Sequence, residues 1–162
     1  MRKLVLILMS TIVLASCGGN QQQAVEYNNR LITIQKEVGA EAQKFGQLTQ
    51  TSDSAQAYHT LADLTTYVND ETKKAEAVQF SGDDFGMKAS LLDGFRFFKK
   101  VLNEDFKKIL ELRFAKTPSA DAQQQMQQIV GNIQKEGQDI DKKFIDAQQQ
   151  FAKKYKIQLR QQ

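Results

Sequence analysis

From residue 24 onward, apolar residues recur at steps of three and four, the spacing that gathers side chains on one face of an α-helix. The first run is Tyr27, Leu31, Ile34, Val38, Ala42, Phe45 and Leu48, close to a heptad with a slip near Ala42. It predicts a helix over about 23–50. Thr49 to Ser54 is a polar turn with Ser and Asp placed to cap the next helix. The second run, Tyr58, Leu61, Leu64, Val68, Ala75 and Val78, predicts a helix over about 54–79, broken by Phe80-Ser81-Gly82-Asp83-Asp84. The third helix, about 83–116, is the most apolar. Leu91, Phe95, Phe98, Leu102, Phe106 and Ile109 form its main stripe, widened by Leu92, Phe97, Val101, Leu110 and Phe114. Thr117 suits an N-cap and Pro118 a first helical turn. The fourth helix, about 118–156, carries Met126, Ile129, Ile133, Ile140, Phe144, Ala147 and Phe151. Gly137 holds the one small position in that phase, as a close approach to an aromatic or a bend.

No stretch shows the period-two alternation of a strand, and the single Pro suits long uninterrupted helices. Connections of at most about six residues make successive helices antiparallel neighbours. The expected fold is all-α, an up-down-up-down four-helix bundle. Two long hairpins that complete their core by dimerising are the alternative. Unequal helix lengths should leave the ends of the third and fourth helices overhanging.

The first residues obey different rules. Met1-Arg2-Lys3 is basic, Leu4 to Val13 is nearly all apolar, and Leu14-Ala15-Ser16-Cys17 ends the stretch. A basic start, a short apolar run and small residues before a cut site describe a secretory signal, too short for the roughly 20 residues that span a bilayer. Leu14-Ala15-Ser16-Cys17 resembles the lipobox of bacterial lipoproteins. That resemblance implies cleavage between Ser16 and Cys17, with a diacylglyceryl group on the Cys17 sulfur and an acyl chain on its new amino group. The thiol is then consumed as a thioether. One acyl chain anchors a protein only marginally, whereas two or three hold it firmly. The implied organisation is a signal peptide over 1–16, the lipidated Cys17 with a polar tether to residue 23, a bundle over 24–157 and a tail over 158–162. Gly18, where the resemblance associates an Asp with inner-membrane retention, points to the outer membrane, and the absence of acidic residues just after Cys17 points to the periplasmic side.

Composition narrows the chemistry. Apolar residues at 41% and charged residues at 25% fit a folded chain rather than a disordered one. Losing Arg2 and Lys3 with the leader lowers the formal charge from +3 to +1. The remainder is uneven: residues 26–84 carry −5, residues 85–116 carry +4 and residues 117–162 carry +2. Attraction between an acidic and a basic half helps select topology, although exposed pairs contribute only ~0–1 kcal/mol each. Lys99, Lys100, Lys107 and Lys108, with Phe97, mark a candidate interaction surface on the third helix. Nucleic acid is not an expected partner at so small a charge excess.

No catalytic constellation emerges. One Cys rules out a disulfide framework or Cys-rich zinc site, and a di-iron bundle needs Glu-x-x-His twice. His59 reads as a rim residue; a haem site would pair it with Met87 or Met126. Asp83 and Asp84 read as helix-capping acids rather than Ca²⁺ ligands. Asp139, Asp141 and Asp146 read as solvated. There is no P-loop, dinucleotide fingerprint or Gly-x-Ser-x-Gly. The glutamine runs at 123–125, 127–128 and 148–150 fall between core positions as a neutral solvated face.

Tyr27-Asn28-Asn29 followed by Ile34-Gln35, the Phe-rich third helix and Phe151-Ala152-Lys153-Lys154-Tyr155 resemble a family of small bacterial surface or periplasmic helical lipoproteins of uncharacterised function. The resemblance covers about 24–157 and implies no activity. The expected protein is a non-enzymatic, membrane-anchored envelope lipoprotein that contacts an envelope protein or itself. It has no cofactor beyond its covalent lipid. A carrier or sensor of an amphiphile is the alternative, and a haem carrier or enzyme a remote one.

Overall fold

The computed structural model describes residues 19–48, 53–117 and 119–159. The predicted leader, Ser16, Cys17, Gly18 and Pro118 lie outside the described residues. The chain forms α1 (Gly19–Leu48), α2 (Ser54–Ala77), α3 (Met87–Lys100), a π-helical segment (Val101–Phe106), α4 (Lys107–Arg113) and α5 (Ala122–Tyr155). The segment from α3 through α4 is one continuous rod, so the fold is an all-α four-helix bundle without strands among the described residues.

Helix ends obey local chemistry. Asp53 caps α2 by accepting the Gln56 N–H at 3.1 Å, satisfying one of the donors that a helix start leaves open. Gln21, Gln22 and Gln23, expected to form a tether, lie within α1 instead. Helix α5 begins at Ala122, four residues later than the Pro118 pattern predicts.

Pairs of contacts fix the helix directions. Gln21 meets Lys156 and Asn28 meets Gln148, so α1 and α5 run antiparallel. An Ala Cβ at Gly94 would sit 3.6 Å from Ile140, and one at Gly137 would sit 3.6 Å from Phe97. Those pairs make α3 and α5 antiparallel too. Gly137 thus faces an aromatic ring, at ordinary van der Waals distance. The core is built by Leu31, Phe45, Leu64, Val68, Met87, Leu91, Phe95, Leu102, Leu110 and Phe151, all nearly or fully buried. Each large apolar side chain buried here contributes roughly 1.5–3 kcal/mol.

The π segment explains a change of phase. From Phe98 the stripe advances by four residues at a time, through Leu102 and Phe106 to Leu110. At 100° per residue each such step drifts by about 40° around an α-helix. A π turn holds more residues and cancels that drift. Leu110 is consequently 1% exposed, while Ile109, expected in the main stripe, is only half-buried. Tyr58, also expected in a stripe, is exposed; the neighbouring Ala57 is buried in its place.

Helix α5 changes surroundings along its length. Phe144, Ala147, Gln148, Phe151 and Ala152 are buried, whereas none of residues 123–143 is. Met126, Ile129, Ile133 and Ile140 are half-buried and Val130 is exposed.

Candidate functional site

The most constrained part of the molecule is the end at which α1 begins and α5 stops. Its turn, Asp83-Asp84-Phe85-Gly86, links α2 to α3. Asp83 Oδ1 accepts the Phe85 N–H at 2.9 Å, and Asp84 Oδ1 accepts the Gly86 N–H at 3.0 Å. Asp84 Oδ2 accepts the Lys88 N–H at 3.1 Å and the Tyr27 hydroxyl at 2.7 Å. Those bonds hold Phe85 at φ 55° and Gly86 at φ 77°. The left-handed conformation suits Gly and costs a residue with a Cβ roughly 1–2 kcal/mol. The two acids therefore do more than cap α3: they shape its approach and tie it to α1.

Burial pulls the Asp84 carboxyl upward, but the bonds from Tyr27, Lys88 and Gly86 outweigh it and hold the group below its ordinary value. Burial, then the bond to Asp84 and the Asp84 charge, push the Tyr27 hydroxyl far above its ordinary value. The pair is a neutral phenol donating to a carboxylate.

Aromatic rings close this end. Tyr27 stacks on Phe80 at 4.8 Å, Phe80 meets Phe151 edge-on at 5.3 Å, and Phe151 lies 4.7 Å from Tyr155. The Tyr155 hydroxyl donates to the Asp83 carbonyl at 3.1 Å. Gly82 is required here because a Cβ would strike the Tyr155 hydroxyl and the Phe80 ring. A cleft of about 690 Å³ opens beside the cluster, lined by Glu26, Tyr27, Arg30, Gln79, Phe80 and Ser81. It is open to solvent, unlike the enclosed apolar cavity an amphiphile carrier needs.

The C-terminus locks onto the same end. Lys156 adopts φ 54°, and both it and Ile157 donate their N–H groups to the Ala152 carbonyl. Gln21 donates to the Lys156 carbonyl at 3.0 Å, pinning the start of α1 to the end of α5. Lys153, Lys154 and Lys156 are exposed, and the Lys154 ammonium lies 5.6 Å from the Phe85 ring centre. Lys88 differs, donating to the Val78 carbonyl at 2.8 Å and so closing α2.

Asn28, Gln148 and Glu71 are buried polar side chains that escaped the sequence reading. Gln148 is 4% exposed and donates to Asn28 at 2.8 Å across the α1–α5 contact. The glutamine-face reading fails at Gln148 because α1 covers that position. Glu71 is 1% exposed and pairs with Lys74 at 2.6 Å, leaving its second oxygen without a hydrogen-bond partner among the described residues.

The expected surface residues have different local partners. Phe97 is half-buried and faces Gly137. Lys100 reaches Glu136 on α5 at 3.5 Å, and Lys108 lies 3.7 Å from Glu111. Lys107 lines a shallow cleft with Tyr58, Leu61 and Leu102, while the Lys99 carbonyl accepts from Asn103. The π segment lies between the two lysine pairs. His59 is largely exposed and its Nδ1 lies 2.9 Å from Asp63; Met87 is fully buried and Met126 half-buried. Among the described residues no group of three or more His, Cys, Asp or Glu is placed to hold a metal ion. No helix among them is long and apolar enough to cross a membrane.

Comparison with protein-family models, curated proteins and solved structures returns no match for this chain.

Proposed function

We propose that the chain is a bacterial envelope lipoprotein, anchored through acyl chains on Cys17, whose helical bundle serves as a non-enzymatic interaction or structural module. The carrying observation is Leu14-Ala15-Ser16-Cys17 behind a basic start and a short apolar run. In support, Gly19, two residues after that Cys, already lies in α1, whose Gln21 is bonded to the end of α5. Gly18 favours the outer membrane, and the lack of acidic residues over 18–23 favours the periplasmic face. The partner is an envelope protein or a second copy. The half-buried Met126, Ile129 and Ile133, with the exposed Val130, offer apolar surface away from the anchored end.

Metabolic labelling with palmitate tests the anchor. The full-length protein incorporates label, globomycin makes the unprocessed form accumulate, and Cys17→Ala abolishes labelling. Processing insensitive to globomycin, or labelling that survives Cys17→Ala, contradicts the proposal.

A further inference from the structure

We infer that the end of the bundle bearing the 83–86 turn and the C-terminus rests on the membrane, with Lys153, Lys154 and Lys156 engaging anionic phospholipid headgroups. The inference rests on the lipid-anchor reading and adds an orientation and a contact to it.

Chain length sets the geometry. A fully extended chain spans at most about 3.6 Å per residue. The start of α1 at Gly19 is therefore within roughly 7 Å of Cys17, far less than the length of any helix in the bundle. The hydrogen bond from Gln21 to Lys156 brings the end of α5 to the same place. An anchor on Cys17 thus holds this end near the headgroups. Helix α5, 34 residues long, carries its other end about 50 Å away if it stands upright.

Charge complements that placement. Lys153, Lys154 and Lys156 fall within four residues and are exposed. Among the described residues they have none of the carboxylate partners that Lys44, Lys73, Lys74 and Lys100 have. Asp83 and Asp84, the acids of the neighbouring turn, are engaged by backbone N–H groups. A lysine close to an anionic leaflet contributes enough attraction to shift docking about fivefold.

Backbone strain gives a separate indication. Phe85 and Lys156, the non-glycine residues with positive φ among those described, both lie at this end. Glycine is the residue favoured at a left-handed helix C-terminus. A lysine kept there places an ammonium on the outer surface at a conformational cost. Attraction of Lys153 and Lys154 to the α5 dipole accounts for a charge in the last turn, but not for a lysine where glycine fits better.

The test uses the processed, lipidated protein in phosphatidylcholine vesicles with and without phosphatidylglycerol. Ser81→Cys at this end, or Ala120→Cys at the far end, supplies the only free thiol when Cys17 is a thioether, and each is labelled with a fluorophore. A headgroup-attached quencher should quench the Ser81 label in anionic vesicles and leave the Ala120 label bright. Changing Lys153, Lys154 and Lys156 together to Gln should lower the ratio of docked to undocked protein roughly a hundredfold while the protein still floats with the vesicles. Lys156→Gly separates binding from folding: it should raise the thermal midpoint and still weaken docking about fivefold. Equal quenching at both ends, or quenching indifferent to phosphatidylglycerol or to the lysines, overturns the inference and leaves the anchor standing. A free Cys17 thiol in a protein that fails to float overturns both.

Discussion

Residues 144–155 and residues 122–143 of α5 repeat the same spacing of apolar side chains and meet different surroundings. The first stretch lies among α1, α3 and the 78–86 connection, and buries Phe144, Ala147, Gln148, Phe151 and Ala152. The second runs along α3 through Ile140 and Gly137 and leaves its isoleucines half-buried. It also carries Gly131 and Gly137, which weaken a helix by up to about 1 kcal/mol each relative to Ala. Periodicity thus reports which face of a helix is apolar, but not how many neighbours cover it.

Truncating an aromatic in the packed half gives the largest test of that contrast. Phe151→Ala should destabilise by roughly 3–5 kcal/mol, whereas Ile129→Ala in the open half should cost about 1–2 kcal/mol. Chemical denaturation of both variants checks the difference; equal losses would place both halves in one core. Next comes the polar pair. Gln148→Ala should cost about 1–3 kcal/mol by leaving Asn28 buried without its partner. Replacing Asn28 and Gln148 together by Leu should cost less than the single change, because it removes both polar groups.

A pH series sharpens the same contrast at the packed end. The Asp84 carboxyl is lowered in the folded protein from its ordinary value of 3.8. Its contribution is therefore present above the unfolded value and is lost as pH falls through the folded value. Urea midpoints should drop more steeply into acid for the natural protein than for Asp84→Asn. Identical acid limbs would remove Asp84 from the account. The smallest effect is a gain: a Cβ at Gly131 meets nothing within 4 Å, so Gly131→Ala should stabilise by up to about 1 kcal/mol.

Four helices, their order and most of the core are legible in the three- and four-residue steps of the sequence. The π segment is written there as well, in the four-residue steps from Phe98 to Leu110, but its meaning depends on cumulative angular drift rather than on any motif. Asn28, Gln148 and Glu71 gave no signal, because burial of a polar side chain depends on a neighbour far along the chain. The constrained turn was visible only as two acids beside two glycines. Its tie to Tyr27 spans 57 residues and needs the fold. The lipoprotein reading of Leu14-Ala15-Ser16-Cys17, conversely, rests on the sequence alone, and no helix packing informs it.

The most direct test of the central claim is the intact mass of the protein extracted from cell envelopes, with fragmentation of its N-terminal peptide. The account predicts a chain starting at Cys17, carrying a diacylglyceryl group on sulfur and an acyl group on nitrogen. A chain that still carries its leader, is cut elsewhere, or bears a free Cys17 thiol contradicts it.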